Sequence, residues 1–446
     1  MSDVCLLFGG SIIDTVSGII QDDMDVLMER GIITDVLPSG QCRMEGVGRL
    51  DCTGTYILPG LFECHAHLGF LAAEDEETRK TIRDEAGIDV TIPGSKLAEW
   101  IFAEFVRRGV TQIRDVGSPV SVIMGFADDI RNGKYTGPEL FYTGPMLEKS
   151  PLTWAKHNEI IADFTVAIDS DADAVRVVDQ LAENGVACLK TFNKFDLSVY
   201  KMVLTTALKY NLPIVHDPGS ALFHDIPMDM ALELGVRCFE HGKSPWPVVL
   251  QDDLASELCS IKAAGGLQEA KADFGARVFA LGDESINDDK LSTLMRDMKS
   301  HDACFCPTLH VFERFLAEEH QKDNAELVDR LTVLGAIQRR CVQAAAEAGV
   351  RILSGHDGYL PAYTIAEMLL LEAAGVSPLE IIRGATLYPA RWLGVDDRYG
   401  FIMPGMTANL LVVKDNPLDD IANIAHVHSV VCHGRCYAES PDIYQN

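Results

Sequence analysis

Two histidines spaced two apart, His65 and His67, close the apolar run Tyr56-Ile-Leu-Pro-Gly-Leu-Phe-Glu-Cys-His-Ala-His67. In an extended strand alternate side chains share a face. Both imidazoles therefore project to one side, while Cys64 and Ala66 turn to the other. Such a pair is half of a first-row metal site, or else two hydrogen-bonded core histidines. Other apolar runs also end in residues of ligand type. Lys190 sits in Val-Ala-Cys-Leu-Lys-Thr-Phe, His216 closes Leu-Pro-Ile-Val-His, His241 closes Val-Arg-Cys-Phe-Glu-His, and Asp357 closes Arg-Ile-Leu-Ser-Gly-His-Asp. Each histidine alone reads equally as a satisfied core group, and Asp357 before glycine as a turn former or helix cap. Lys190 is harder to dismiss, because a lone buried ammonium is costly.

The elements that would position these groups are short strands alternating with helices. Strand-like runs fall at Leu61–His67, Val110–Val116, Leu140–Met146, Val186–Phe192, Leu212–Asp217, Val236–His241, Cys304–Leu309 and Arg351–Asp357. Helical patterns separate them, among them Leu97–Arg108, Ala172–Asn184, Leu197–Tyr210, Met228–Leu234 and Leu327–Ala348. Eight such repeats predict an α/β chain with a (β/α)8 TIM barrel over 59–394, whose chemistry sits at the C-terminal ends of the strands. Six ligand-type side chains then converge on one face. The long stretch between strands six and seven predicts extra helix over the barrel mouth. Residues 1–58 and 395–446 read instead as short strands and turns, so the two ends are expected to form one composite β-sandwich domain.

The length of 446 residues suits a barrel plus a smaller domain. A formal net charge of −28 argues against nucleic acid or an anionic membrane as partner. The start Met-Ser-Asp-Val-Cys lacks the basic region of a signal peptide, and no apolar run reaches the roughly 18 residues of a membrane span. A cytoplasmic location is the expectation, with a homo-oligomeric state and a small-molecule substrate. The cysteines are dispersed, and Cys64, Cys188, Cys238, Cys304 and Cys306 lie inside apolar runs. They read as small buried hydrophobes. One residue between Cys304 and Cys306 suits neither a zinc knuckle nor a redox motif.

Taken together, these strand ends resemble the amidohydrolase superfamily over nearly the whole chain. The resemblance is to the binuclear type, with His-x-His on strand one, a carboxylated lysine on strand four, histidines on strands five and six, and aspartate on strand eight. Leu58-Pro-Gly-Leu-Phe-Glu-Cys-His-Ala-His, Gly109-Val-Thr-Gln-Ile-Arg-Asp-Val-Gly and Gly400-Phe-Ile-Met-Pro-Gly-Met-Thr-Ala-Asn-Leu-Leu-Val-Val agree with it. The branch it is most similar to holds imidazolonepropionase-like proteins, prolidase-like dipeptidases, and hydrolases of amide, urea and carbamate xenobiotics. Three places depart from that branch. His216-Asp217-Pro218-Gly219 stands where His-Ala is common, Gly355-His356-Asp357 where Gly-Thr-Asp is common, and Asn409 where an aspartate is common. The expected ligand set survives these changes, but Asp217 alters the pocket wall, so a dipeptide substrate is not carried over.

The resemblance implies two divalent ions, of zinc type. One is held by His65, His67 and Asp357, the other by His216 and His241, and Lys190 bridges them as N6-carboxylysine. Two such ions hold a hydroxide between them and lower its pKa toward neutrality. Asp357 would be both ligand and general base, passing the proton on to the leaving nitrogen as the hydroxide attacks the carbonyl. The implied activity is hydrolysis of a C–N bond in a small amide, peptide-like, carbamate or urea substrate. The alternatives are a cyclic-amide, ester or organophosphorus hydrolase on the same centre, or a non-catalytic scaffold. Trp154, Lys156, His157, Asp217 and His310 follow other strand ends and are candidates for substrate contact or for ordinary loop packing. Arg114 is expected to tie strand two to a carboxylate in the barrel, and Glu63 to support the histidine pair from below.

Overall fold

The computed structural model describes residues 4–42, 46–87 and 96–438. Its centre is a ring of eight parallel strands: Leu61–Ala66, Val110–Asp115, Glu139–Tyr142, Leu189–Phe192, Ile214–Asp217, Cys238–Glu240, Cys304–Cys306 and Arg351–Ile352. Successive strands pair in parallel along two runs, strands one to three and four to eight. The ring closes at both junctions. Ala187 N donates to Tyr142 O at 2.9 Å between strands three and four, and Cys64 N donates to Ser354 O at 3.0 Å between strands eight and one. This is the expected (β/α)8 barrel.

Alternation decides what fills it. Phe62, Cys64, Val116, Phe141, Cys188, Val215, Cys238, Cys304, Cys306 and Leu353 form one buried cluster inside the ring. The cysteines there are free and buried, as their apolar settings suggested. Burial pushes the thiols of Cys188 and Cys304 up to about 12, so they act as hydrophobes rather than nucleophiles. Outside the ring, helices pack their apolar stripes on the strands. Ile101, Phe102 and Phe105 of Leu97–Arg107, and Val177 and Leu181 of Asp171–Glu183, belong to the main core. Ser170 fixes where the second of these helices begins, its side chain accepting from Asp173 N.

Two stretches differ from the sequence reading. Strand three bends at Gly144, whose φ of 74° is open to glycine, and Met146–Glu148 runs on beside strand four. The region between strands six and seven holds three helices, Asp252–Ala263, Gln268–Leu281 and Asp288–Ser300. None of their residues lines the cavity at the barrel mouth, which takes a wall instead from the helix Leu309–Gln321.

The two ends of the chain meet in one mixed sheet of eight strands. Tyr56–Pro59 pairs with Ser11–Ile12 on one side and with Leu410–Val413 on the other. The sheet curls until its far strand, Ile32–Pro38, reaches the chain before Leu410, with Ile33 N donating to Met406 O at 2.8 Å. The layers expected of a sandwich are thus parts of one curled sheet. Leu7, Val26, Met28, Ile57, Leu410 and Val412 fill it as a separate core. Among the described residues, no helix is long and apolar enough to cross a membrane.

Candidate active site

The C-terminal ends of strands one, four, five, six and eight bring His65, His67, Lys190, Asp217, His241 and Asp357 together. Asp357 Oδ1 lies 3.3 Å from His67 Nε2 and 3.5 Å from His65 Nε2. Lys190 Nζ is 3.4 Å from His65 Nε2 and 3.3 Å from Asp217 Oδ2. Asp217 Oδ2 is in turn 2.9 Å from His241 Nε2. The backbone is bent to aim these groups, since His241 and Asp357 have φ of 66° and 57°. Left-handed conformations are sparse for such residues and concentrate at functional sites.

The far nitrogen of each ring settles what the near one offers. His65 Nδ1 faces Glu240 Oε2 at 2.5 Å, and His67 Nδ1 faces Gly117 O at 2.9 Å. A carboxylate and a carbonyl only accept, so each Nδ1 carries a proton and each Nε2 is the nitrogen turned to the floor. Burial first, and then Lys190, lowers His65 to about 4, so its ring is neutral near pH 7. The lone pair of His65 Nε2 therefore points at Asp357 Oδ1 3.5 Å away, acceptor against acceptor, with His67 Nε2 beside it. Such an arrangement fits a cation between them. Imidazole nitrogens and carboxylate oxygens are the donor set of zinc-type ions, and the carboxylate and carbonyl behind the rings are the usual outer support. Gly117 allows the approach, because a Cβ there would sit 2.7 Å from His67 Cε1.

His216 does not join the cluster. Strand register pairs it with Thr191, and the two share the face turned to the helices. Its Nε2 donates to Ile226 O at 3.0 Å, while Nδ1 meets Thr191 Oγ1 at 3.0 Å and Tyr200 Oη at 3.1 Å. Both nitrogens are satisfied, so the expected ligand His216 faces the helices in this structure and not the floor. Asp217, one residue on, takes the inward place. His310 is also displaced. Thr308 turns the chain with a φ of 50°, the helix starts at Leu309, and the His310 ring packs on Tyr363 at 4.4 Å, outside the cavity lining. Trp154 and His157 do line the cavity.

Three residues went unnoticed in sequence. Glu240 accepts from Arg114 Nη2 at 2.6 Å in a fully buried pair, so Arg114 does tie strand two to a carboxylate. The signal was an acid inside the apolar run Val-Arg-Cys-Phe-Glu. Thr308 Oγ1 holds His241 Nδ1 at 2.7 Å. Lys243, two residues past His241, is buried in the cavity wall. Glu63 supports the pair through the backbone, its Oε1 accepting from His65 N at 2.8 Å and His356 N at 3.0 Å, while its Oε2 accepts from Thr364 Oγ1 on an outer helix.

Residues 306–436, which hold Asp357, match the Amidohydrolase family. That stretch runs from the end of strand seven through strand eight into the closing strands of the sheet. Over it, the chain is similar to the amidohydrolases. Solved structures repeat the whole fold over 98% of this chain. A Xaa-Pro dipeptidase with bound methionine is 21% identical, covered over 100% of its length, with a TM-score of 0.71. Molinate hydrolase is 16% identical, covered over 95%, at 0.72, and A. niger ochratoxinase 18% identical, covered over 96%, at 0.71. A dihydroorotase of Trichlorobacter lovleyi is 36% identical over 63 residues, which span 14% of either chain.

In this chain the cluster forms the floor of a cavity of about 1510 Å³. One part of its wall is aromatic. Phe70, Trp154, His157, Phe164, Phe192 and Phe312 line it, and the His157 ring stacks on Phe164 at 5.5 Å. Acidic side chains, among them Glu74, Glu77 and Glu159, also border it.

Proposed function

We propose that this chain is a metal-dependent hydrolase that cleaves the C–N bond of a small amide-like molecule. The observation that carries the reading is the neutral ring of His65, whose Nε2 lone pair faces Asp357 Oδ1 at 3.5 Å beside His67 Nε2 on the cavity floor. His65, His67 and Asp357 would hold one divalent ion, most simply Zn2+, and His241 a second. Lys190, with a side chain about 1% exposed, would bridge them as N6-carboxylysine. Carbon dioxide adds to the neutral amine and a proton leaves, turning an awkward buried ammonium into an anion with two oxygens. When bound, the ions activate water as a nucleophile and polarise the carbonyl under attack.

The chain's own residues do the rest. Asp357, whose Oδ1 faces His65 and His67, would lie beside the ions, and a carboxylate next to a divalent cation keeps its charge near neutral pH. It is therefore ionised and able to accept the proton of the attacking water. It then returns that proton to the leaving nitrogen, which an amide requires because an amine anion leaves poorly. The aromatic wall favours a substrate with a flat or apolar substituent near the scissile bond, and keeps bulk water from the floor.

The test is a panel of dipeptides, N-acyl amino acids, ureas and carbamates, assayed before and after chelation. Turnover of at least one class should vanish on chelation and return with Zn2+. Turnover that survives complete removal of divalent ions would refute the reading.

A further inference from the structure

Strand five of this chain offers an inward carboxylate where a histidine was expected. We propose that Asp217 is the strand-five ligand of the second metal ion and that His216 takes no part in metal binding. The inference rests on the metal-dependent reading above and concerns which residue completes the donor set.

The geometry is specific. Asp217 Oδ1 accepts from Gly219 N at 2.8 Å, which fixes the carboxylate and leaves Oδ2 aimed at the floor. Oδ2 then sits 2.9 Å from His241 Nε2 and 3.3 Å from Lys190 Nζ. Separations of about 3 Å are what donors around a single ion show, since each lies about 2.0–2.2 Å from it. The chemistry agrees. Carboxylation of Lys190 removes the one ammonium within 4 Å of Asp217 among the described residues, so Oδ2 is left against an anion and an imidazole. A buried carboxylate in that company needs a cation. His216 has nothing to give, because Ile226 O takes its Nε2 proton and two hydroxyls crowd Nδ1.

The exchange also alters the site. A carboxylate in place of an imidazole adds one negative charge and a harder donor, which moves preference away from Zn2+ toward ions such as Mn2+. Lys243, buried on the same cavity wall, supplies a compensating positive charge.

Metal content by mass spectrometry after dialysis against equal Zn2+ and Mn2+ tests this without any substrate. The unaltered chain should hold two ions, Asp217→Ala one, and His216→Gln two. Asp217→Asn, which keeps the side chain's size, decides the matter if the alanine variant does not fold; its affinity for the second ion should fall about 100-fold or more. Two ions retained tightly by the Asp217 variants, or one lost from His216→Gln, overturns the assignment. Fewer than two ions in the unaltered chain overturns the binuclear reading itself.

Discussion

Arg114 and Glu240 form an ion pair inside the barrel, with Nη2 2.6 Å from Oε1 and both side chains 0% exposed. Glu240 also takes the Nδ1 proton of His65, so one carboxylate neutralises a guanidinium and orients a metal-type histidine. Glu240→Gln leaves Arg114 buried and uncompensated, which typically costs about 3–5 kcal/mol. It should also weaken binding at His65 by about 10–100-fold. Urea unfolding and metal titration of the variant check both effects. Unchanged stability and unchanged affinity together would remove Glu240 from any supporting role.

The pH dependence of stability follows from Glu63. Burial raises its carboxyl to about 8 despite the hydrogen bonds from His65 N, Thr364 Oγ1 and His356 N. A group raised in the folded state binds its proton there more tightly than in the unfolded chain. Its contribution is complete below the ordinary value of 4.5 and is lost as pH rises through about 8. Glu63→Gln copies the protonated acid: one oxygen still accepts both backbone N–H groups, and the new amide can donate to Thr364. The metal-free variant should therefore lose less stability than the parent between pH 5 and 9, as read by thermal unfolding. Parallel curves for the two proteins would count against a protonated Glu63.

Removal of metal should leave the His65 Nε2 lone pair facing Asp357 and deprive the two floor carboxylates of their cation. At free ion concentrations about 1,000 times the dissociation constant, a bound ion adds about 4 kcal/mol to stability. A chelated sample should unfold several degrees lower and recover when divalent ion is restored. Asp357→Asn should keep the fold and lose turnover by about a thousandfold or more, since the amide can neither take nor return the proton. A variant that turns over like the parent would assign the base elsewhere.

The barrel was legible because each strand is a short apolar run that ends in a polar group, and the groups recur at one end. Lys190 stood out because nothing apolar explains a lysine there. Which strand-five side chain faces the floor was misread for a physical reason. His216 and Asp217 are neighbours on one strand, so they must face opposite sides, and the pairing Thr191↔His216 decides which. That register is set by strand four and is not visible in strand five itself. His310 failed similarly, because the left-handed turn at Thr308 moves the start of the next helix. The family resemblance named the residue types, and the parity of the strand chose among them.

Thr308 gives the sharpest separation of support from packing. Its hydroxyl is 2.7 Å from His241 Nδ1, and its φ of 50° is a strained setting for a β-branched residue. Such strain persists where the surroundings hold it, and here it carries the hydroxyl to the ring. Thr308→Ala removes the partner that fixes which His241 nitrogen faces Asp217, so affinity for the second ion should fall about 10–100-fold. Thr308→Ser keeps the hydroxyl, sheds the branch that strains the backbone, and should bind as the parent does. Isothermal titration with Mn2+ distinguishes the two variants. If serine and alanine weaken binding equally, the threonine matters for its shape and not for its hydrogen bond.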